Sequence, residues 1–230
     1  MKTFAQKVIE FNRHIHFEGS LPDGVAILNP FRDDPHALEL STAFYKKYYN
    51  DMRVRSIILG INPGRFGAGL TGVPFTDTKR LQEICGIAYP GKSTHEPSCT
   101  FIYEMIDAFG GPEKFYGKFY INSVCPLGFT RVNEKGRPVN YNYYDDKALT
   151  ESVYDFIMDN LQTQINLGVN TTKAFCFGTG KNETFLRKLN DSHHFFDNII
   201  ALEHPRYIMQ YKAKQKSFYI DKYLVAFEGV

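Results

Sequence analysis

The sequence predicts an α/β fold of three layers, αβα, around a central, mostly parallel four-stranded sheet, in a single domain spanning residues 1–230. Three observations lead there. Four short apolar runs, Val54–Leu59, Phe119–Cys125, Lys173–Phe177 and Ile199–Leu202, have the near-continuous hydrophobic character of strands buried on both faces. Stretches with apolar residues at helical spacing separate them, and strands alternating with helices imply parallel neighbours with helices on both faces. A length of 230 residues, 43% hydrophobic and 23% charged, suits one ordinary globular domain.

In chain order, helical spacing marks Phe4–His14 and Ala37–Tyr49. The strand Val54–Leu59 then runs into Gly60-Ile61-Asn62-Pro63-Gly64-Arg65-Phe66-Gly67, where glycine and proline force the chain out of the sheet. Lys79–Cys85 reads as a short helix and Tyr89–Ser98 as a loop, and Phe101–Phe109 is a helix stopped by Gly110-Gly111. After the strand Phe119–Cys125, the stretch Pro126–Asp146 is polar and leaves the α/β framework, with Asn133-Glu134-Lys135-Gly136 as a hairpin turn. Lys147–Leu167 is the longest amphipathic helix, and Lys173–Phe177, Gly178-Thr179-Gly180 and Asn182–Leu189 form a strand, turn and helix unit. The last strand ends in Glu203-His204-Pro205-Arg206, and a helix over Gln215–Phe227 closes the chain.

Composition excludes several classes. With 27 basic and 25 acidic side chains, a net charge of +2 is too small for binding nucleic acid by bulk charge, so any such contact must be local. Cys85, Cys99, Cys125 and Cys176 form no Cys-x-x-Cys pair and read as reduced core thiols. No run approaches the roughly 20 apolar residues that span a bilayer, and the first residues open an amphipathic helix rather than a signal core. A cytoplasmic, monomeric protein without membrane contact is expected.

Asn62 stands at the C-terminal end of a buried strand, the edge where open α/β sheets bind ligands. Taken alone, Asn-Pro-Gly is an ordinary turn. Asn122 changes the odds, because a carboxamide inside Phe119–Cys125 must satisfy both its donor and its acceptor or suffer about 1–3 kcal/mol. His204 likewise ends a core strand. Gly67-Ala68-Gly69-Leu70-Thr71-Gly72 matches the dinucleotide fingerprint, but Val73-Pro74 blocks the helix that must follow. A phosphate loop is excluded because Leu70 stands where lysine is required. Cys85, His95 and Cys99 could in principle approach one another, but a loop of core and surface residues is the better reading, and no metal is assigned.

These residues resemble the uracil-DNA glycosylase superfamily, in its single-strand-selective monofunctional branch. Gly60–Gly67 followed by Thr71-Gly72-Val73-Pro74-Phe75 is similar to the first active-site motif, Asn122 with Cys125-Pro126-Leu127 to the base-reading strand, and Gly178-Thr179-Gly180 to the strand-to-helix turn. His204-Pro205 is similar to the second active-site motif, and Asn29-Pro30 and Pro35-His36 to the segment before the first. The family continues after histidine as Pro-Ser-Pro-Arg-Asn-Pro, whereas this chain has Pro205-Arg206-Tyr207-Ile208-Met209-Gln210, which implies a divergent bacterial subfamily.

The resemblance implies a monofunctional glycosylase that flips uracil, or a related damaged base, out of single- or double-stranded DNA and excises it hydrolytically in base excision repair, without cofactor or metal. Asn62 would hold the attacking water and His204 would donate to the base's O2. Phe75 would stack on the base, Asn122 would read N3–H and O4, and Ile61 and Gly64 would complete the base pocket. The small Gly64 would leave room at C5 for 5-hydroxymethyluracil. Arg206, Tyr207, Ser123, Lys181 and Lys212 are the DNA-contact candidates, with Arg206 or Tyr207 as the wedge. The competing readings are a nucleobase-binding protein without turnover and a nucleotide-cofactor enzyme using Gly67–Gly72.

Overall fold

A computed structural model describes all 230 residues. The chain opens with α1 (Phe4–His14), β1 (Val25–Leu28), the single turn α2 (Pro30–Asp33), α3 (Pro35–Tyr48) and β2 (Arg55–Gly60). Next come α4 (Ala68–Thr71), α5 (Thr78–Glu83), α6 (Pro97–Phe109), α7 (Pro112–Lys118) and β3 (Phe119–Ser123). The hairpin β4 (Gly128–Val132) and β5 (Pro138–Tyr141) precedes α8 (Lys147–Ser152), α9 (Tyr154–Asn166) and β6 (Val169–Phe177). The chain ends with α10 (Lys181–His193), β7 (Asn198–Leu202), α11 (Pro205–Tyr211) and α12 (Lys216–Ala226).

The main sheet has the order β3-β2-β6-β7, and every neighbouring pair is parallel. All four strands therefore end at the same edge. Alternate side chains leave a strand on opposite faces, and β3 uses this to join two aromatic layers. Tyr120 meets Phe4 of α1 at 5.2 Å and Tyr45 of α3 at 6.4 Å between ring centroids. Phe119 meets Phe109 of α6 at 5.6 Å and Phe227, just beyond α12, at 4.6 Å on the other side. The expected three layers and parallel four-stranded sheet are present, and one hydrophobic core draws residues from Phe4 to Phe227.

Several boundaries differ from expectation. The excursion Pro126–Asp146 contributes β4 and β5 to a second, antiparallel sheet, order β1-β4-β5, and β1 is not expected from the sequence because its four residues, three half-buried and one exposed, are too few to show a periodicity. The hairpin turn lies where expected: Asn133 Oδ1 accepts from Lys135 N and Arg137 N, and Gly136 supplies φ +70°. The long helix Lys147–Leu167 is two helices, because Val153 (φ −107°, ψ 5°) leaves the helical region. The unpredicted α2, α7 and α11 each begin on proline, which suits a first helical position that has no use for an N–H. Helix α6 likewise starts at Pro97, inside the expected loop.

The first residue of β2 breaks the apolar pattern. Arg55 is fully buried, donating to Tyr116 O (2.7 Å) and to both carboxylate oxygens of Asp51 (3.0 and 2.9 Å), with its guanidinium 4.7 Å from the Tyr49 ring centroid. Burial opposes ionisation of Asp51, but the bonds from Arg55 and Arg53 outweigh it and hold the carboxyl down at about 2. Because an unfolded aspartate titrates near 3.9, this contribution is complete above about pH 4 and fades as pH falls towards 2. Asp51→Asn leaves a buried cation unpaired and is expected to lower stability by about 3 kcal/mol at pH 7, measured by urea unfolding; a loss below about 1 kcal/mol would show that the pair does not anchor β2.

Candidate active site

The shared edge of the parallel strands gathers the chemistry. β2 ends at Gly60 and delivers Asn62, β3 carries Asn122, β6 runs into Gly178, and β7 delivers His204. Asn62 bridges the two sheets: its Nδ2 donates to Tyr141 O (3.2 Å) and weakly to Pro63 O (3.4 Å), while its Oδ1 accepts from Tyr143 N (3.2 Å). A backbone N–H can only donate, so Oδ1 must be the atom facing Tyr143. One Oδ1 lone pair is left without a protein partner.

Phe75 forms the aromatic wall. Its ring lies 5.6 Å from Phe177 and 5.5 Å from His204 between centroids. The ring fits because Gly60 has no side chain: a Cβ there would come within 2.8 Å of Phe75 Cε2. Phe75 also has φ +52°, a left-handed conformation costing a bulky residue about 1–3 kcal/mol. Thr71 offsets that strain by tying the turn together, donating to Thr76 O (2.7 Å) and accepting from Val73 N (3.1 Å), with Thr71 and Thr76 both fully buried.

Asn122 is 7% exposed and also fixed in one orientation. Ser123 N donates to Oδ1 (2.8 Å), which turns Nδ2 toward the Tyr120 hydroxyl (2.6 Å). Burial pushes the Tyr120 phenol above its ordinary value, so it remains neutral. One lone pair of Oδ1 and one N–H of Nδ2 remain unassigned. Asn122 lines a cavity of about 20 Å³ whose walls include Pro63 and Pro74, the neighbours of Asn62 and Phe75.

His204 caps α11, its Nδ1 accepting from Arg206 N at 3.1 Å. Only an unprotonated Nδ1 can accept, so the proton of the neutral ring sits on Nε2. Desolvation, reinforced by the Arg206 guanidinium, lowers the pKa to about 4. At neutral pH His204 is therefore a neutral donor through Nε2.

A glycine-rich bend after one parallel strand, an oriented asparagine on the next and a neutral histidine after the last agree with the comparisons. The model of the Uracil DNA glycosylase superfamily matches residues 46–228. The chain belongs to that superfamily. The crystal structure of WT Pedobacter heparinus SMUG2 is 58% identical, covers 99% of this chain and 98% of its own, and superposes with a TM-score of 0.97. A search of curated proteins finds none that matches. The protein is thus a DNA glycosylase, a hydrolase of N-glycosyl bonds, related to the single-strand-selective monofunctional branch.

Four of the five residues expected to contact DNA have exposed or half-buried side chains. Arg206 and Tyr207 are exposed on the first turn of α11, with Tyr207 5.4 Å from Tyr211 between centroids. Lys181 begins α10 with its ammonium 5.8 Å from the Tyr144 ring, and Lys212 follows α11, half-buried. Ser123 is different: it is only 4% exposed, and Gln164 Nε2 donates to its carbonyl (3.3 Å). Ile61 packs on the core and accepts from Cys125 N through its carbonyl (3.1 Å). Gly64 faces two polar side chains: a Cβ there would lie 3.3 Å from Asn140 Nδ2 and 3.5 Å from Glu96 Oε1.

Sequence reasoning missed Tyr120, Asn140, Tyr143 and Asn182. Asn182, 1% exposed, donates to Gly60 O (3.3 Å) and Phe177 O (3.1 Å) and accepts from the Tyr143 hydroxyl (2.8 Å), locking the second sheet to the ends of β2 and β6. An asparagine just after Gly178-Thr179-Gly180 was the available signal. Cys85, His95 and Cys99 do not converge: Cys85 Sγ meets the Tyr103 hydroxyl, His95 meets Arg80, and Cys99 Sγ meets Glu96. All four cysteines are free and buried.

The histidine assignment has a direct test. Above about pH 4 the folded ring is neutral, while the unfolded chain takes up its proton near 6.5, so this site's stabilisation is lost as pH falls from about 6.5 to 4. In ¹⁵N-edited NMR the His204 ring is expected to show the Nε2–H tautomer and to titrate near pH 4. An Nδ1–H tautomer, or titration at an unshifted value, would contradict the capping geometry.

Proposed function

We propose that this glycosylase flips uracil out of DNA and hydrolyses its N-glycosidic bond in base excision repair, with 5-hydroxymethyluracil, xanthine and related deaminated bases as further substrates, acting in the cytoplasm as a monomer of one domain (residues 1–230). The observation that carries this reading is the oriented carboxamide of Asn122, with one acceptor and one donor to spare. Uracil presents the complement, N3–H and O4. Cytosine presents the reverse and is rejected, because a mismatch leaves buried polar groups unpaired.

Phe75 stacks on the flipped base, and the pocket contacts, with Ile61 and Gly64 among them, offset the few kcal/mol needed to unstack it. Cleavage leaves negative charge on the base and positive charge on the sugar. The Nε2–H of His204 stabilises the first by donating to O2. Asn62 accepts from a water through its remaining Oδ1 lone pair, directing the water's own lone pair at C1′. A carboxamide is not a base, so the water is oriented rather than deprotonated, and the bond must be largely broken before attack. No lysine in the matched motifs is available for a Schiff base, which supports a monofunctional enzyme leaving an abasic site. Arg206, Tyr207, Lys181 and Lys212 supply the positive and aromatic rim for phosphates and for the wedge, and single strands avoid the unpairing cost.

The test is single-turnover excision from single-stranded and duplex oligonucleotides carrying one uracil, with abasic sites cleaved by alkali. His204→Ala and Asn62→Ala are each expected to lower the rate by about 10²–10³. Tight binding of uracil-containing DNA without base release by the wild type would instead establish a binding protein. Arg206→Ala is expected to weaken duplex binding and reduce the slope of log K against log salt by about 1; an unchanged slope would remove its phosphate contact.

A further inference from the structure

Arg65 and Phe66, in the bend that follows Asn62, are not used by the mechanism above. Of the twenty phenylalanines only Phe66 and Phe218 are exposed, and Phe66, at 49%, is the one beside the site. The Arg65 guanidinium lies over its ring, 4.7 Å from the centroid, with Nε buried and without a hydrogen-bond partner. The backbone beneath the ring is fixed on both sides. Asn140 Oδ1 accepts from Arg65 N (3.1 Å), Thr94 Oγ1 donates to Phe66 O (2.7 Å), and Gly64 O accepts from Gly69 N (2.8 Å). Gly67 closes the bend against Glu96, whose Oε2 would lie 2.6 Å from a Cβ there. A single exposed apolar side chain is ordinary. A ring that is pinned in place, backed by a cation and four residues from Asn62 has the parts of a stacking platform for nucleic acid, an aromatic face beside positive charge.

We propose that Phe66, backed by Arg65, stacks on the base next to the flipped nucleotide in a single-stranded substrate, with the Arg65 charge meeting a neighbouring phosphate. The proposal rests on the glycosylase reading, in which Asn62 stands at C1′ of the flipped nucleotide. Four residues of extended chain reach about 14 Å at most, so a strand whose sugar lies at Asn62 passes within reach of the ring. The guanidinium takes one face of the ring and leaves the other for a base. Every base has a π-face, so this contact holds the strand without reading its sequence. Flipping removes a stacking partner from each neighbour of the departing base, and Phe66 replaces that partner for the neighbour it meets.

The experiment measures the enzyme concentration that half-saturates single-turnover excision of uracil from a single-stranded oligonucleotide, and repeats it with a tetrahydrofuran spacer in place of the base on the 5′ or the 3′ side of the uracil. For the wild type, one of the two spacers is expected to raise that concentration by about tenfold, the worth of one base–aromatic stack. Phe66→Ala is expected to raise it by a similar factor on the intact oligonucleotide and to abolish the effect of that spacer, whereas Phe66→Trp, which keeps an aromatic face, retains it. Arg65→Gln is expected to reduce the slope of log K against log salt by about 0.7, the value for one phosphate of a single strand; an unchanged slope would overturn the part given to Arg65. Spacer effects of the same size in the wild type and Phe66→Ala, or no effect of either spacer in the wild type, would overturn the platform even while uracil is released. Failure of the wild type to release uracil from the intact oligonucleotide would instead overturn the glycosylase reading on which the platform rests. Comparing two oligonucleotides on one variant cancels a general loss of stability, and the wild-type spacer effect tests the proposal even if a variant does not fold.

Discussion

A backbone N–H can donate a hydrogen bond and never accept one, and four such groups determine what the site presents to a ligand. Tyr143 N holds Asn62 Oδ1, Ser123 N holds Asn122 Oδ1, Arg65 N holds Asn140 Oδ1, and Arg206 N holds His204 Nδ1. Each of these side chains has two chemically opposite ends or two tautomers, and in water each would sample both. Anchoring one end to an obligatory donor leaves a defined remainder: an acceptor at Asn62, an acceptor and a donor at Asn122, a donor at Asn140 and a donor at His204. The site is therefore organised for charge and hydrogen bonding before any base arrives, which is how preorganised dipoles lower a barrier without reorganising during the reaction.

Those anchors belong to different parts of the chain, so the fold must hold them in register. The parallel sheet brings the ends of β2, β3, β6 and β7 to one edge, and the antiparallel sheet closes over it through the Asn62 bridge. Asn182 and Tyr143 make the joint rigid by linking both sheets to Gly60 and Phe177. The missing side chain at Gly60 admits the Phe75 ring, and the buried Thr71 network holds Phe75 in its strained conformation. Strain at an aromatic wall is tolerable when the surrounding bonds over-determine it.

Much of this was legible in the sequence, because buried parallel strands are short apolar runs and the glycine–proline bend after β2 has few structural alternatives. Asn62, Asn122 and His204 could be singled out as polar residues inside, or at the ends of, such runs. The second sheet was less legible. β1 is four residues long, and β4 and β5 alternate too weakly to be told from an irregular excursion. Asn140 was invisible because its role depends on hairpin register, which pairs it with Thr130 and points its amide at a loop 75 positions away in sequence. Arg55 is a charge inside an apolar run, and its burial is explained by the Asp51 carboxylate, the carbonyls and the aromatic rings around it. Four short helices were missed, α4 inside the glycine loop and three whose first positions Pro30, Pro112 and Pro205 marked.

A crystal structure of the protein soaked with free uracil would show whether the anchored side chains present one fixed pattern of donors and acceptors. Asn122 Oδ1 is expected about 3 Å from N3, Asn122 Nδ2 about 3 Å from O4 and His204 Nε2 about 3 Å from O2, with all four backbone anchors unchanged. A base bound elsewhere, or bound with any of these anchors broken or the Asn122 amide reversed, would contradict it.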